Sequence, residues 1–227
     1  GLKELHTMLG KMLSVRYPGK TIEIGHEGGY ATEFRDDLEP LEMLSELLSA
    51  SHHENAWFLG IDAAASAFFT NGVYLLGREK LTAKMLMERY ASYAATIPLL
   101  KTVEDPFMEE ARDDFASFQK KFPDLMVIGD DLTVTDPVRI EECSTRGAIK
   151  GVIVKPNQIG TVTETCAAMT AAVEHNVNVI VSHRAGETPD PFLIHFARAG
   201  NAYGVKIGAP VRHRLPKYEE LARLYKE

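Results

Sequence analysis

The 227-residue sequence is short of cysteine and tryptophan, has no long apolar run and carries no excess of positive charge. Each shortage removes a class of protein. Its two cysteines, Cys143 and Cys166, have neither a CxxC spacing nor metal-like neighbours, which argues against a disulfide scaffold or a thiolate metal site. They read as two reduced, buried thiols. No stretch approaches the ~18 uninterrupted apolar residues of a membrane-spanning helix, and the N-terminus shows no charged-then-apolar leader. The expectation is a cytoplasmic protein with no membrane partner. Lys and Arg number 25 against 32 Asp and Glu, for a net charge of −7. Nucleic acid is therefore not an expected partner, because phosphate-binding surfaces are usually basic. A local basic cluster can still hold a small anion. No GxGxxG fingerprint follows any apolar run, which argues against a dinucleotide crevice.

What is present is a regular rhythm. The sequence is 45% hydrophobic, ample for one core, and a single domain over residues 1–227 is expected. Leu2, Leu5, Leu9, Met12 and Leu13 follow helical spacing, which stops at Tyr17-Pro18-Gly19. A Gly-rich stretch, Gly25-His26-Glu27-Gly28-Gly29, reads as mobile, and a second helix is expected around Leu38, Leu41, Leu44 and Leu48. From Trp57 onward, short apolar runs end in polar residues and each precedes a helical segment. The runs end at Asp62, Glu104, Asp130, Lys155, His183 and Lys206. Successive ends after Glu104 are 26, 25, 28 and 23 residues apart, about one βα unit each. The first interval, 42 residues, leaves room for a hairpin at Asn71-Gly72 and a helix near Lys80 to Ala94.

Near-continuous apolar runs are the mark of buried parallel strands, and strand–helix alternation implies a parallel sheet. The fold expected is α/β, a (β/α) barrel that is incomplete, with six units where a closed barrel has eight. A doubly wound sheet is the alternative. Functional groups of barrels gather at the C-terminal strand ends, so Asp62, Glu104 and Asp130, from adjacent strands, form a candidate Mg2+ site of hard oxygen ligands. Lys155, His183, Arg184 and Lys206 face them as a basic set able to hold an anionic substrate.

These residues lie in motifs that resemble those of the enolase family. Gly25-His26-Glu27-Gly28-Gly29 is similar to GDEGG, and Gly60-Ile61-Asp62-Ala63-Ala64-Ala65-Ser66 to GMDVAAS. Val103-Glu104-Asp105-Pro106-Phe107 resembles IEDPF, and Gly129-Asp130-Asp131-Leu132-Thr133-Val134-Thr135 resembles GDDLTVT. Lys155-Pro156-Asn157-Gln158-Ile159-Gly160-Thr161 is similar to KVNQIGT, Ser182-His183-Arg184-Ala185-Gly186-Glu187-Thr188 to SHRSGET, and Lys206-Ile207-Gly208-Ala209-Pro210 to KTGAP. All seven stand in the family's order. The resemblance implies Mg2+-dependent dehydration of 2-phosphoglycerate to phosphoenolpyruvate. Asp62, Glu104 and Asp130 would hold the tighter metal, Lys155 would remove the C2 proton and Glu27 would protonate the departing hydroxyl. Arg184 would bind phosphate, with His183 and Lys206 completing the cradle. Lys155 must be neutral to act as a base, and Glu27 must be protonated to act as an acid.

The sequence also departs from the family. The resemblance implies an N-terminal domain and two barrel strands upstream, which supply a lid loop, a histidine loop and a second glutamate. None is found here, so self-association or a complementary enolase N-terminal fragment is the expected partner, and little activity is expected of the chain alone. His26 replaces an aspartate beside Glu27, Ala67 a glutamate and Ala185 a serine. The alternative reading is a non-catalytic enolase-like protein retained for binding or assembly. An acid-sugar or muconate enzyme of the wider superfamily is not expected to carry SHRxGET or KxNQIG. His52-His53 reads as an exposed helix end. Met8, Met85 and Met87 read as core, Trp57 as packing, and Glu109-Glu110 with Asp113-Asp114 as the start and outer face of a helix.

Overall fold

Strands whose side chains are apolar on both faces must be covered on both, and here they alternate with amphipathic helices that cover them. The computed structural model describes residues 1–51 and 56–224; His52-His53 lies outside the described residues. In chain order the elements are α1 (Leu2–Arg16), β1 (Glu23–Ile24), β2 (Tyr30–Ala31), α2 (Glu39–Ala50), β3 (Leu59–Asp62), β4 (Phe69–Thr70), β5 (Val73–Leu76) and β6 (Glu79–Leu81). There follow α3 (Ala83–Thr96), β7 (Leu100–Glu104), α4 (Arg112–Lys121), β8 (Met126–Gly129), α5 (Pro137–Thr145), β9 (Gly151–Val154), α6 (Pro156–Ile159), α7 (Val162–Glu174), β10 (Asn178–Ser182), α8 (Phe192–Ala199), β11 (Gly204–Lys206) and α9 (Leu215–Leu224). The main sheet runs β11-β10-β9-β8-β7-β3, with β3, β7, β8, β9 and β10 paired in parallel. That sequential order is the one expected of consecutive βα units. No described helix is long and apolar enough to cross a membrane.

Contacts divide the chain into two compact units. One comprises Phe58–Val181 and Ala202–Gly204; the other comprises Gly1–Trp57, Ser182–Asn201 and Val205–Glu227. In the first, β9 is buried throughout, and Tyr74, Phe107, Phe115 and Phe118 are fully buried. Phe107 meets Phe115 and Phe118 edge-on at centroid distances of 5.6 and 5.7 Å, an arrangement that suits the ring quadrupoles. Helix starts are set by side chains. Thr82 caps Met85 N–H, Asp136 caps Val138 N–H at 2.8 Å with Pro137 at the first helical position, and Thr161 caps Glu164 N–H at 3.1 Å; each satisfies a donor the helix cannot. In the second unit, Leu5 and Leu13 of α1 and Leu41, Met43, Leu47 and Leu48 of α2 are buried.

The Gly-rich stretch takes the form of a tight hairpin between β1 and β2, closed by Gly25 N–H to Gly29 O and Gly28 N–H to Gly25 O, both 2.9 Å. Several expectations need correction. Lys80 belongs to β6 of a three-stranded antiparallel sheet, and the helix begins at Ala83. Glu109 and Glu110 precede α4 rather than opening it, although Asp113 and Asp114 do lie in its first turn. Cys143 is buried as expected, whereas Cys166 is exposed. Met87 is core, but Met85 is exposed on the opposite side of the same helix.

Candidate functional site

In the unit containing Phe58–Val181, the strand ladder places the candidate carboxylates. Asp62 and Glu104 are the last residues of β3 and β7 and are register partners. Glu104 is in turn the partner of Ile128, two residues before Asp130. Gly129 pairs with Val152, which leaves Lys155 just beyond the end of β9. Parallel pairing in register thus delivers three carboxylates and a lysine to the C-terminal ends of four adjacent strands. Glu104 and Asp130 are buried and Asp62 is exposed. Lys155 Nζ donates to Asp130 Oδ2 at 2.5 Å, with both side chains largely buried. Asp130 Oδ1 is buried without a hydrogen-bond partner.

An orphaned buried carboxylate oxygen is costly unless something satisfies it. Together with an all-oxygen donor set, it fits a hard divalent cation. Among the described residues, however, no group of three or more His, Cys, Asp or Glu side chains is drawn together as a metal cluster. The strand-end alignment is present, and convergence into a single coordination sphere is not.

Side chains with no role evident from the sequence hold this rim in place. Asp105, directly after Glu104, accepts from Asp130 N–H at 2.9 Å and Asp131 N–H at 2.7 Å. Burial pushes its carboxyl up to about 6 against the opposing effect of those two donors, and burial also raises Asp131, beside Asp130. Thr135 Oγ1 accepts from Lys155 N–H at 3.0 Å and donates to Gln158 Oε1 at 2.7 Å. Ala64, Asp105, Val134 and Thr135 all have positive φ. Non-glycine residues seldom adopt that conformation, and it gathers where a site over-determines the backbone. All of these residues stand inside the quoted motifs, so the motifs located them without revealing what they do.

The other unit holds Glu27, His183, Arg184 and Lys206. Glu27 lies in the β1–β2 turn with its side chain about half exposed. Its carbonyl accepts from Ala209 N–H at 2.8 Å. The neighbouring Gly28 has φ +81, and a Cβ there would stand 2.4 Å from Val211 Cγ2, so only glycine fits. His6 Nε2 meets Gly28 O at 2.9 Å and its ring stacks on Tyr30. His183 is 3% exposed, and its N–H donates to Lys206 O at 3.2 Å. Its Nε2 is 3.7 Å from Glu27 Oε2, too long for a hydrogen bond, and neither ring nitrogen has a hydrogen-bond partner. Burial holds the imidazole below its ordinary pKa; Glu27 and Glu187 pull it up, and Arg214 and Lys217 push it down. Arg214 and Lys217 are themselves buried. Nothing in the amphipathic pattern of α9 signals a buried lysine, and neither buried cation is legible in the sequence. Arg184 and Ala185 are exposed, and Lys206 is half-buried.

Comparison with known proteins agrees with these motifs. The family model described as "Enolase, C-terminal TIM barrel domain" matches residues 2–227. The chain is 36% identical over 223 residues to the enolase of Methanosarcina barkeri, covering 97% of this chain and 52% of that protein. It is 34% identical over 225 residues to that of Methanocaldococcus jannaschii, covering 99% and 53%. The enolase of Aeropyrum pernix is 36% identical over 225 residues, with 97% and 52% covered. The chain spans about half the length of these curated relatives. By this match over nearly its whole length, the chain belongs to the enolase family, through the C-terminal TIM barrel domain.

Proposed function

We propose that this chain carries residues for the dehydration of 2-phosphoglycerate to phosphoenolpyruvate, as a phosphopyruvate hydratase or the barrel part of one. The observation that carries the reading is the alignment of Asp62 with Glu104 at adjacent strand ends, beside the Lys155–Asp130 contact. Asp62, Glu104 and Asp130 would hold Mg2+. Bound there, it supplies positive charge to a substrate whose carboxylate gains a second negative charge when C2 loses its proton.

Lys155 Nζ, in its neutral form, takes the C2 proton. Asp130 is placed to receive the resulting ammonium, because its Oδ2 already accepts from that nitrogen. The Glu27 carboxyl gives its proton to the C3 hydroxyl. The C3–O bond breaks with release of water, and the electron pair left at C2 forms the C2–C3 double bond. Arg184, His183 and Lys206 are assigned to the phosphate and carboxylate of the substrate. Arg184 presents a guanidinium suited to phosphate oxygens, and buried His183 has two ring nitrogens without other hydrogen-bond partners.

Two steps served by two residues can be separated. Phosphoenolpyruvate formation with Mg2+ is followed optically, using the chain alone and the chain mixed with the N-terminal half of an archaeal enolase. Exchange of the C2 proton with solvent is followed by NMR. Lys155→Ala should abolish both readouts, and Glu27→Gln should stop product formation while sparing exchange. Equal loss of exchange in both variants would overturn the role assignment. Absence of product and exchange in every arm would favour a non-catalytic enolase-like protein.

A further inference from the structure

We infer that Asp105 is a positioning residue that ties together the ends of the three strands carrying Asp62, Glu104 and Asp130, and thereby sets where a divalent cation and Lys155 act. The inference rests on the reading of that rim given above. Asp105 is 5% exposed, and all of its polar groups are engaged. One carboxylate oxygen accepts from Asp130 N–H at 2.9 Å and the other from Asp131 N–H at 2.7 Å. Its own N–H donates to Ile128 O at 3.0 Å, and its carbonyl accepts from Ala65 N–H at 3.1 Å. Three of these bonds reach β8 or the residues just after it, and the fourth reaches the turn that follows Asp62. Glu104 is its covalent neighbour. A single residue therefore spans all three strand ends.

The backbone of Asp105 is left-handed, with φ +40. Among side-chain-bearing residues, Asp and Asn tolerate that region best, and strain of this kind persists only where the surroundings hold it. Asp130 is consequently gripped from both sides. Its N–H is fixed by Asp105 and its Oδ2 by Lys155, which leaves the direction of the buried Oδ1 determined. Rotation of the Asp130 backbone would move the ligand oxygen and the partner of Lys155 together.

Replacing Asp105 by Asn separates this role from simple space filling. Asn has the same size and the same left-handed tolerance, but it offers one acceptor oxygen and one NH2 group with two donors. One of the two backbone N–H groups then meets an NH2 instead of an oxygen. The comparator is Tyr90→Phe, which removes the Tyr90 OH to Pro106 O bond of 3.1 Å, an anchor of the same loop.

Binding of Mn2+ to the full chain is measured by electron paramagnetic resonance, alongside thermal melting and hydrogen exchange resolved at Asp130 and Asp131. Asp105→Asn should weaken Mn2+ binding about tenfold or more, the range usual for groups that orient metal ligands, and should speed exchange at both amides. Tyr90→Phe should lower the melting temperature and leave Mn2+ affinity within about twofold, since the bond it removes runs to Pro106 O and not to a candidate ligand. Unchanged Mn2+ affinity in Asp105→Asn overturns the inference, as does a loss of affinity in both variants that simply tracks melting temperature. If the unaltered chain binds no Mn2+, the metal assignment in the proposed function fails on its own account. Asp105 is then judged by amide exchange alone, and unchanged protection at Asp130 and Asp131 refutes its positioning role.

Discussion

The carboxylate and lysine rim of one unit and the acid and histidine segment of the other are built differently. In the first, Asp62 and Glu104 are strand-terminal residues in a parallel ladder, and Asp130 and Lys155 stand one residue beyond it. Side chains from Asp105 and Thr135 grip the backbone on either side. In the second, Glu27 projects from a turn between two strands of two residues each, held by a few contacts from His6, Ala209 and Val211. Elements with many ladder hydrogen bonds place side chains more precisely than short loops do, and loops open more readily. Damage to the first region should therefore come from unpairing buried charge, and damage to the second from disturbing backbone shape.

The largest effect on stability is expected at Lys155. Lys155→Met leaves the Asp130 carboxylate largely buried without the Lys155 nitrogen that pairs with it, and breaking such a pair costs on the order of 3 kcal/mol. The double variant Lys155→Met with Asp130→Asn should recover more than half of that loss, because no uncompensated charge remains. Chemical denaturation of the four proteins gives the double-mutant cycle. Additive losses would show that the pair is not coupled in the fold and would remove this contrast between the two regions.

A smaller effect is expected in the Glu27 turn. Gly28→Ala places a methyl 2.4 Å from Val211 Cγ2 at φ +81, which combines overpacking with a left-handed alanine and costs about 2 kcal/mol. Gly29→Ala meets nothing within 4 Å and should stay within about 0.5 kcal/mol of the parent. Melting curves check both. Equal losses at the two glycines would mean that close approach to Val211 does not shape the turn.

The same contrast explains what could be read from sequence. The rim was legible because buried parallel strands leave continuous apolar runs, and the first polar residue after each run marks the strand end. Asp62, Asp130 and Lys155 follow from that rule alone, whereas Lys101 and Thr102 interrupt the run before Glu104, which its motif marks instead. The Glu27 turn lacks such a rhythm, so its glycines do not reveal that Gly25 and Gly29 close a hairpin or that Gly28 leaves no room for a Cβ beside Val211. Asp105 and Thr135 were visible as letters within motifs, but their work is done by hydrogen bonds to backbone groups up to 26 residues away, which no local pattern encodes. Arg214 and Lys217 contradict the usual exposure of charged side chains, and only the folded structure reveals the burial of Lys217 within α9 and of Arg214 in the turn before it. The division into two units was equally invisible, because each is assembled from separate stretches of chain and no linker marks the border.

The smallest effect expected is a pH dependence confined to the second region. His183 is buried, and its imidazole is held below the ordinary value of 6.5 mainly by loss of solvent, with Arg214 and Lys217 acting in the same direction and Glu27 and Glu187 opposing. The unfolded chain therefore binds a proton at His183 at a higher pH than the folded chain does. Stability from this group is fully present above about pH 6.5 and is lost as pH falls from there through the depressed folded value. Glu27→Gln removes one of the two opposing carboxylates, so the folded value should drop further and the loss should continue to lower pH. His183→Asn removes the titration altogether. Urea denaturation at steps from about pH 7.5 to about pH 5 would give stability differences in which the ordinary carboxylates cancel. The gap between His183→Asn and the parent should shift in favour of the variant on acidification. A gap constant with pH would show that His183 titrates alike in both states, and the buried, unpartnered imidazole would no longer distinguish this region from the rim.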